Sequence, residues 1–321
     1  MSRPCIAGVA YAFPAAQRSV RELAAAGQLT SDPALLERFG FDRVHVAIEE
    51  TPFELGLRAA SELLDRGDVP RDRVGMLIYG GAPGTAAFVR GADVFDSNLS
   101  YRSIDRFTFP ASRLQCQLDL GAASVVALDQ LGCTTLFAAV RLARAMCVAE
   151  GMDAVLCVCA DFAPCLDGRE EIFNCTSDAA CAVLVRADGE RCRIAGSAEV
   201  TKGYYWDAGR KRDEIIASYF PTARHVIERA IADAGWTAAD IDWVIPHNVS
   251  CASWDILRRL VGLDSARSWS RNLARDGHAI AGDTFINLAD ALASGEVAHG
   301  DKLLLFSYGY GAHWTALAVE A

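Results

Sequence analysis

The sequence is poor in positive charge and in proline, and each shortage excludes a class of protein. Its 321 residues contain 31 Lys and Arg against 41 Asp and Glu, so the formal net charge is −10. A nucleic-acid-binding protein needs clustered cations to neutralise phosphates, and this composition disfavours that class. With 10 prolines and 52% hydrophobic residues, the chain is not disordered. We therefore predict a folded, acidic, globular protein with a large core.

Long apolar runs are also missing from the sequence. No uninterrupted hydrophobic stretch approaches the ~18 residues that a membrane-spanning helix needs. The apolar start of the chain follows Pro4 and is interrupted by Gly8, so it fits a first strand better than a signal peptide. We therefore expect a cytoplasmic protein that has neither a membrane nor a nucleic acid among its partners.

Cysteine is abundant, but the patterns that would give it a structural role are absent. The count is 11, an odd number in a chain too long to need disulfide bonds for its stability. No CxxC pair occurs, and Cys157 and Cys159, which share one face of a predicted strand, have no further ligand nearby to complete a zinc site. We expect most of these thiols to be small buried groups, and we expect no metal and no permanently bound cofactor.

A faint internal repeat indicates the architecture. Gly67 and Gly235 lie 168 residues apart, and each ends a predicted helix that a short turn connects to an apolar strand. A second, looser match occurs later in each copy, where a Gly-containing turn leads into another apolar strand. Helices and apolar strands alternate through much of the chain, which is typical of sheets covered on both faces. The pattern predicts a duplicated α/β fold with halves at 1–168 and 169–321.

One cysteine, Cys133, stands in a different context from the others. It follows Gly132 and precedes a strongly helical run of small and apolar residues at 138–146. A thiol at the start of a helix lies beside unpaired backbone N–H groups, which stabilise a thiolate and can bind an oxyanion. Cys133 is therefore the candidate nucleophile, while an ordinary buried cysteine is the alternative at this position.

Two of the six histidines are candidate partners of this thiol. His247 follows an apolar strand, so it lies at a strand's carboxyl end, where α/β proteins build their sites. His278 lies in a turn that contains glycine, and Asp283 follows it five residues later. A hydrogen-bonded core histidine and a surface connector are the ordinary alternatives for these two positions. His313 lies either near the site or in a supporting strand.

In their order and spacing these motifs resemble the thiolase superfamily, and within it the ketosynthase III-like branch. The landmarks are Gly132-Cys133, Thr176-Ser177-Asp178, Pro246-His247-Asn248, Gly277-His278 and Tyr308-Gly309-Tyr310-Gly311. The resemblance implies a five-layer αβαβα thiolase fold, a homodimer, and an acyl substrate carried as a thioester on coenzyme A or on an acyl carrier protein. It further implies that Cys133 accepts the acyl group, that His247 is catalytic, and that the N–H groups of Cys133 and Gly311 form an oxyanion hole.

The sequence departs from the ketosynthase III pattern at one position. That pattern has Asn after the glycine, where this chain has His278. The loop then continues to Asp283 and Ile286-Asn287-Leu288-Ala289-Asp290, and this continuation resembles a subgroup from antibiotic pathways, some of whose members acylate hydroxyls or amines. Decarboxylative condensation needs donors that stabilise an enolate, whereas acyl transfer needs a base that deprotonates the acceptor. His278 oriented by Asp283 suits the second task. We therefore favour acyl transfer to a hydroxyl, an amine or a carrier through a Cys133–His278–Asp283 triad.

Two other functions stay open. Elongating ketosynthases use a Cys-His-His site, so Cys133, His247 and His278 also fit a decarboxylative carbon–carbon condensation. Those enzymes are longer, however, and they have a Lys where this chain has Leu273. The second alternative is an inactive scaffold in a ketosynthase complex, although such partners typically lose the nucleophile.

Substrate-binding candidates lie outside this group of residues. Arg210, Lys211 and Arg212 are adjacent cations in a predicted loop, which are either simply solvated or bind the phosphate of coenzyme A or an acidic carrier protein. Asn248 is a weaker candidate. The stretch 88–110 is a candidate specificity element, because in relatives this region contributes to the dimer face and to the acyl pocket.

Overall fold

The structure is a computed structural model that describes residues 3–81, 88–89, 107–163 and 168–321. The strands are β1 (Cys5–Ala12), β2 (Gln17–Ser19), β3 (Arg43–His45), β4 (Val74–Gly80), β5 (Phe88–Val89), β6 (Phe107–Thr108), β7 (Ser124–Leu128), β8 (Ala154–Asp161), β9 (Glu170–Glu171), β10 (Asn174–Cys175), β11 (Ala179–Arg186), β12 (Arg193–Thr201), β13 (Trp243–Ile245), β14 (Arg267–Ser268), β15 (Lys302–Gly309) and β16 (His313–Glu320). The α-helices are α1 (Val20–Ala25), α2 (Pro33–Arg38), α3 (Pro52–Asp65), α4 (Pro110–Gln117), α5 (Thr135–Ala149), α6 (Arg212–Asp233), α7 (Cys251–Leu260), α8 (Arg271–Asp276) and α9 (Asp283–Ala293).

The main sheet repeats one strand plan twice. Its ten strands follow the order β14-β13-β15-β16-β12-β1-β11-β8-β4-β7. The sheet divides into two groups of five strands at the contact between Cys5 of β1 and Arg193 of β12. Counted outward from this contact, the first group is β1-β11-β8-β4-β7 and the second is β12-β16-β15-β13-β14, and the strands correspond in that order. In each group one strand pairs in parallel with both neighbours, β4 with β7 and β8, and β13 with β14 and β15. The predicted duplicated α/β fold is confirmed.

The repeat that was visible in the sequence falls on equivalent elements. Gly67 follows α3 and precedes β4, and Gly235 follows α6 and precedes β13. Both glycines have a positive φ, 79° and 75°, which glycine adopts with little strain and which ends each helix. Neighbouring residues also determine where α3 begins, because Thr51 and Glu54 form a capping box and Pro52 occupies the first turn.

The first group of strands ends, and the second begins, later in the chain than residue 168. β11 pairs with β1 and β8, so it belongs to the first group although it lies in the second predicted half. β12 is the first strand of the second group. The sequence repeat indicated the spacing between the two copies, but it did not indicate that β11 is the last strand of the first copy. The boundary in the sheet therefore lies between Arg186 and Arg193.

Both faces of the central strands are buried, which produces the layers. In β8, Cys157 and Cys159 face a central core, as their shared strand face predicted, whereas Leu156 and Val158 face an outer core under α3. The central core also receives side chains from α5 and α9, and the outer face of the second strand group packs against α6 and α7. Helices and strand groups thus alternate in the five layers of the αβαβα thiolase fold.

The central helix layer includes the one described segment that is long and apolar enough to cross a membrane. This segment, Gly132–Ala149, has a mean hydropathy of 1.3, and 44% of it is buried. It comprises α5 and the turn before it. α5 packs against β8, β4 and β11, and Phe137 lies 4.9 Å from Phe285 of α9, measured between ring centroids. These are the contacts of a helix in the protein core, which explains why the segment is apolar.

Candidate active site

Cys133 lies in a 3-10 helical turn, Gly132–Thr134, that leads directly into α5. This turn packs closely on the segment that follows β15. A Cβ atom on Gly309 would lie 2.8 Å from the backbone nitrogen of Cys133, and one on Gly132 would lie 2.7 Å from the backbone nitrogen of Tyr310. Both distances are too short for a side chain, so both positions need glycine. The thiol therefore stands at the start of the central helix, held against a second glycine-containing turn.

His278 reaches the site through a short contact with the strand region before β11. Its N–H donates to the carbonyl of Cys175 at 2.8 Å, and its carbonyl accepts from the N–H of Ser177 at 2.9 Å. Gly277 before it has a φ of 62°, and a Cβ there would lie 2.7 Å from Val44 Cγ1. The His278 turn is thus positioned by chain segments that lie far away in the sequence.

The structure brings Cys133, His278 and Asp283 into one row. The Sγ atom of Cys133 lies 3.3 Å from Nε2 of His278, and Nδ1 of His278 lies 2.5 Å from Oδ2 of Asp283. The carboxylate also accepts backbone N–H groups from Asn248 at 2.8 Å and from Ala279 at 2.5 Å. These bonds orient Asp283, which in turn holds the imidazole with Nδ1–H toward the carboxylate and Nε2 toward the thiol.

The neighbours of His278 favour its charged form. Burial lowers the pKa of this imidazole, but the Asp283 carboxylate and the Cys133 sulfur outweigh it, so that the pKa of His278 is raised well above its usual value of 6.5. An imidazolium at 3.3 Å from the sulfur stabilises a thiolate there. The buried cysteines differ in this respect. Burial raises the pKa of the Cys147 thiol to about 11 and that of Cys175 to about 12, which leaves both protonated.

His247 has the opposite electrostatic setting. Its ring lies 5.7 Å from both Trp254 and Phe306, measured between centroids, and the residue is 2% exposed. Burial lowers the pKa of His247 to about 3, and the nearby His278 adds to this effect. The imidazole is therefore neutral near pH 7. Among the described residues, its buried Nδ1 atom has no hydrogen-bond partner.

The side chain of Asn248 braces the site, and its role in substrate binding stays a prediction. Its side-chain N–H donates to the carbonyl of Gly277 at 2.7 Å, and its side-chain oxygen accepts from Asn287 at 2.8 Å. Asn287 also donates to the carbonyl of Pro246 at 2.7 Å. This chain of amides ties the end of β13 to the His278 turn. Asn287 had no predicted role, although an uncharged polar residue within the apolar run of α9 was an available signal.

A cavity of about 1100 Å³ leads from the surface to the row formed by Cys133, His278 and Asp283. Cys133, His247 and His278 line it together, and several large apolar residues along its wall are solvent-exposed: Trp206 at 77%, Ile256 at 47%, Ile216 at 45% and Phe173 at 37%. The remaining lining residues are Phe39, Asp129, Gln130, Leu131, Gly132, Glu171, Ile172, Asn174, Thr176, Ile215, Tyr219, Phe220, Val249, Ser250, Ala252, Ser253, Ile280, Tyr308, Tyr310, Gly311 and His313.

The predicted basic triplet lies beside the exposed end of this cavity. The Arg212 guanidinium is 5.7 Å from the ring centroid of Phe173, a lining residue, and Lys211 Nζ is 3.5 Å from the ring centroid of Tyr204. Arg210 has 88% of its side chain exposed, and its Nε atom lies 3.4 Å from an Asp207 oxygen. Of the three cations, Arg212 therefore contacts the cavity wall, whereas Tyr204 and Asp207 lie outside the lining residues. The role of all three in substrate binding stays a prediction.

Two further sequence predictions concern the backbone near the thiol and the region before α4. Gly311 lines the same cavity as Cys133 and has a φ of 94°, which favours glycine. The oxyanion hole formed by these two N–H groups stays a prediction. The candidate specificity stretch 88–110 falls mostly outside the described residues.

Comparisons with known proteins agree with this geometry. The model of the family "3-Oxoacyl-[acyl-carrier-protein (ACP)] synthase III C terminal" matches residues 231–321, which contain His247, His278 and Asp283. Over its whole length the chain is similar to a beta-ketoacyl-[acyl-carrier-protein] synthase III of Rhizorhabdus wittichii, with 28% identity over 344 aligned positions and coverage of 100% of both chains.

Solved structures share the fold over nearly the entire chain. The 3-oxoacyl-[acyl-carrier-protein] synthase III from Aquifex aeolicus VF5 superposes with a TM-score of 0.82 at 19% identity, covering 99% of this chain and 100% of that one. ChlB3, which is named as an acyltransferase, superposes with a TM-score of 0.82 at 21% identity, covering 99% of this chain and 98% of that one. The similarity in sequence and the similarity in fold thus both extend over nearly the whole chain.

Proposed function

We propose that this chain, a ketosynthase III-like member of the thiolase superfamily, is an acyltransferase. It takes an acyl group from acyl-coenzyme A or from an acyl carrier protein, holds it on Cys133, and passes it to a hydroxyl, an amine or another carrier. We assign it to natural-product biosynthesis, as a cytoplasmic homodimer. Coenzyme A or the carrier's phosphopantetheine takes part as a substrate and not as a resident cofactor.

The observation that carries this proposal is the row of Cys133, His278 and Asp283. Its spacings of 3.3 and 2.5 Å are those of a nucleophile, a base and a group that orients the base. A carboxylate behind the imidazole strengthens it as a proton acceptor, which transfer to oxygen or nitrogen requires. The likeness in fold to ChlB3 supports the proposal, because a chain named as an acyltransferase uses the same architecture.

In the first half-reaction, the Cys133 thiolate attacks the carbonyl carbon of the donor thioester. A carbon–sulfur bond to Cys133 forms, the oxygen becomes an oxyanion, and backbone N–H groups of Cys133 and Gly311 bind it. The intermediate collapses as the bond to the pantetheine sulfur breaks. The departing thiolate takes the proton from the His278 imidazolium and leaves as a thiol, so His278 becomes neutral.

In the second half-reaction, neutral His278 removes the proton from the acceptor hydroxyl or amine as it attacks the Cys133 thioester. The new carbon–oxygen or carbon–nitrogen bond forms, the bond to Cys133 breaks, and the thiolate–imidazolium pair is restored. His247 contributes as a neutral imidazole, which can donate a hydrogen bond to a substrate carbonyl without adding charge. The exposed apolar residues of the cavity suit a pantetheine arm or an acyl chain.

Decarboxylative condensation is the alternative to acyl transfer, and the name of one relative and the two histidines near the thiol favour it. The relative from Rhizorhabdus wittichii is named a beta-ketoacyl synthase, and this chain keeps two histidines beside the thiol. Both rings could donate to a malonyl thioester while carbon dioxide leaves. The two reactions share the acylation of Cys133 and differ in the second substrate, so an experiment on that substrate separates them.

The acylation step is tested by intact-mass analysis of the protein after incubation with a panel of acyl-coenzyme A thioesters. We expect one acyl adduct, and we expect Cys133→Ala to abolish it. Cys116→Ala and Cys251→Ala are the matched controls, because these two thiols are exposed and would collect non-specific adducts. An adduct that survives Cys133→Ala would contradict the nucleophile, and no adduct with any thioester would favour the inactive scaffold.

The acyl-protein is then challenged with acceptor alcohols and amines, or with malonyl-coenzyme A. Loss of the adduct with formation of an ester or amide is the expected result. Release of carbon dioxide together with a new carbon–carbon bond would instead establish condensation.

A further inference from the structure

His313 connects the active-site cavity to a second cavity behind it. This second cavity measures about 430 Å³ and shares Leu131 and His313 with the first. His313 is the first residue of β16, directly after the turn that carries Gly311. The side chain is therefore part of the wall between the two cavities, close to both turns at Cys133.

These two turns have unusual backbone conformations. On the Cys133 side, Gln130 and Gly132 have φ angles of 65° and 55°. On the other side, Gly311 and Ala312 have φ angles of 94° and 34°. Positive φ is unfavourable for residues with a Cβ atom, so Gln130 and Ala312 need surrounding contacts that hold them in place. His313 makes one of the side-chain contacts between the two turns, in addition to their direct backbone contacts.

The imidazole of His313 has a hydrogen-bond partner at Nδ1, and its Nε2 atom lies beside the Gln130 carbonyl. Nδ1 lies 2.9 Å from the hydroxyl oxygen of Thr201. A Cβ on Gly311 would lie 2.9 Å from Nε2 of His313 and 3.5 Å from the carbonyl oxygen of Gln130, so this nitrogen and this carbonyl flank the same glycine.

The neutral tautomer with hydrogen on Nε2 satisfies both partners of His313. It donates to the Gln130 carbonyl and accepts from the Thr201 hydroxyl. Burial lowers the pKa of His313, which favours this neutral form, while the hydrogen bond to the Gln130 backbone acts in the opposite direction.

We propose that His313 is a positioning residue for the acylation of Cys133. It links the turn of Gln130 to the turn of Gly311 and thereby holds the backbone N–H groups of Cys133 and Gly311 in the arrangement that binds the oxyanion. The proposal rests on the proposed acyl transfer and deepens it. His313 touches no reacting atom in this role; it acts through the two turns.

A comparison of two reactions of the same thiol isolates this role. Attack on a thioester creates an oxyanion, so it depends on the geometry of both N–H groups. Alkylation by iodoacetamide displaces iodide from a saturated carbon and creates no oxyanion. A residue that only maintains the thiolate affects both reactions equally, whereas a residue that positions the oxyanion hole affects only the first.

The test variant is His313→Phe, which keeps a ring and removes both hydrogen bonds. We expect the maximal rate of Cys133 acylation by acyl-coenzyme A to fall by about tenfold or more, and alkylation to change by less than about twofold. The apparent Kd for acyl-coenzyme A should stay the same. Acylation is followed by quenched-flow mass spectrometry, and alkylation is corrected with Cys133→Ala. His313→Gln, which retains a donor for Gln130, should recover part of the rate.

A second variant, Thr201→Val, keeps the proposal testable if His313→Phe does not fold. Thr201 lines only the second of these two cavities, so its removal affects acylation through His313 alone, and the same selective loss of acylation is expected. Equal losses in acylation and alkylation, or no loss of acylation in the folded variants, would overturn the role of His313. Failure of the wild-type protein to acylate would instead contradict the proposed function itself.

Discussion

At the scale of single residues, the two active-site histidines show how neighbours set the charge of identical side chains. Both are almost fully buried, and burial alone lowers the pKa of each. His278 has a carboxylate at 2.5 Å and is charged, whereas His247 packs among aromatic rings and is neutral. In the proposed reaction, one ring therefore stabilises a thiolate and exchanges protons, and the other donates to a carbonyl.

The charge of His278 yields a prediction about Asp283. Asp283→Asn removes a negative charge that raises the pKa of His278, so this pKa falls. Near pH 7 fewer molecules then carry the imidazolium, and the Cys133 thiolate loses its counter-ion. Alkylation by iodoacetamide should become slower at neutral pH, and acyl transfer should fall by roughly 10²- to 10⁴-fold. The measurement is the alkylation rate as a function of pH.

Glu171→Gln is the control for this substitution, because Glu171 lines the same cavity and the variant changes the net charge by the same amount. Its alkylation profile should match that of the wild type. If Asp283→Asn also left the profile unchanged, His278 would not be the counter-ion of the thiolate.

At the residue scale, the sequence predicted which residues come together at the candidate site better than it predicted the contacts of each side chain. Cys133, His278 and Asp283 were predictable, since a thiol before a helix, a histidine in a glycine turn and a carboxylate five residues later are local patterns. Asn248 was a weaker candidate for substrate binding, and the sequence did not predict that its amide binds Gly277 and Asn287. Which partner meets a side chain depends on distant segments, and a single sequence does not contain that information.

At the scale of elements, the site depends on how closely two turns approach each other. The turn before α5 and the turn after β15 touch through backbone atoms. The Gly309 position lies 2.4 Å from the Leu131 carbonyl oxygen and 2.8 Å from the Cys133 nitrogen, measured from where a Cβ would stand. The sequence showed that glycines occur here, but not which turn each one faces.

Gly309→Ala is expected to damage both the fold and the reaction. The added methyl group forces the two turns apart, which should cost about 1–3 kcal/mol of unfolding free energy and slow the acylation of Cys133. Gly121→Ala is the matched control, because a Cβ at Gly121 meets nothing within 4 Å. Urea unfolding and intact-mass kinetics provide the two readouts. Wild-type acylation by Gly309→Ala would show that the turns tolerate separation.

At the scale of the whole molecule, a single central core joins the two strand groups. Phe137 of α5 and Phe285 of α9 are both fully buried, and their rings lie 4.9 Å apart between the groups. The duplication was predictable from Gly67 and Gly235, which lie on matching elements. The position of β11 was not predictable, because it depends on pairing with β1 and β8 and not on any repeated residue.

The shared core predicts one cooperative unfolding transition. Phe137→Ala should destabilise the protein by about 3–5 kcal/mol without separating the unfolding of the halves. The exposed Phe109, at 58%, is the matched control, and Phe109→Ala should change stability by less than about 0.5 kcal/mol. Urea denaturation followed by tryptophan fluorescence and by circular dichroism measures both variants. Two separate transitions in Phe137→Ala would contradict a shared core.

α5 lies between β7 and β8 in the chain, and α9 lies between the corresponding strands β14 and β15, so the two helices occupy equivalent places. Cys133 stands just before the start of α5, and Asp283 is the first residue of α9, so each copy contributes the same end of its central helix to one site. In the proposed reaction the first copy supplies the group that attacks, and the second supplies the groups that handle protons. Neither copy by itself holds Cys133, His278 and Asp283 together. The row that these three residues form therefore exists only where the two copies meet.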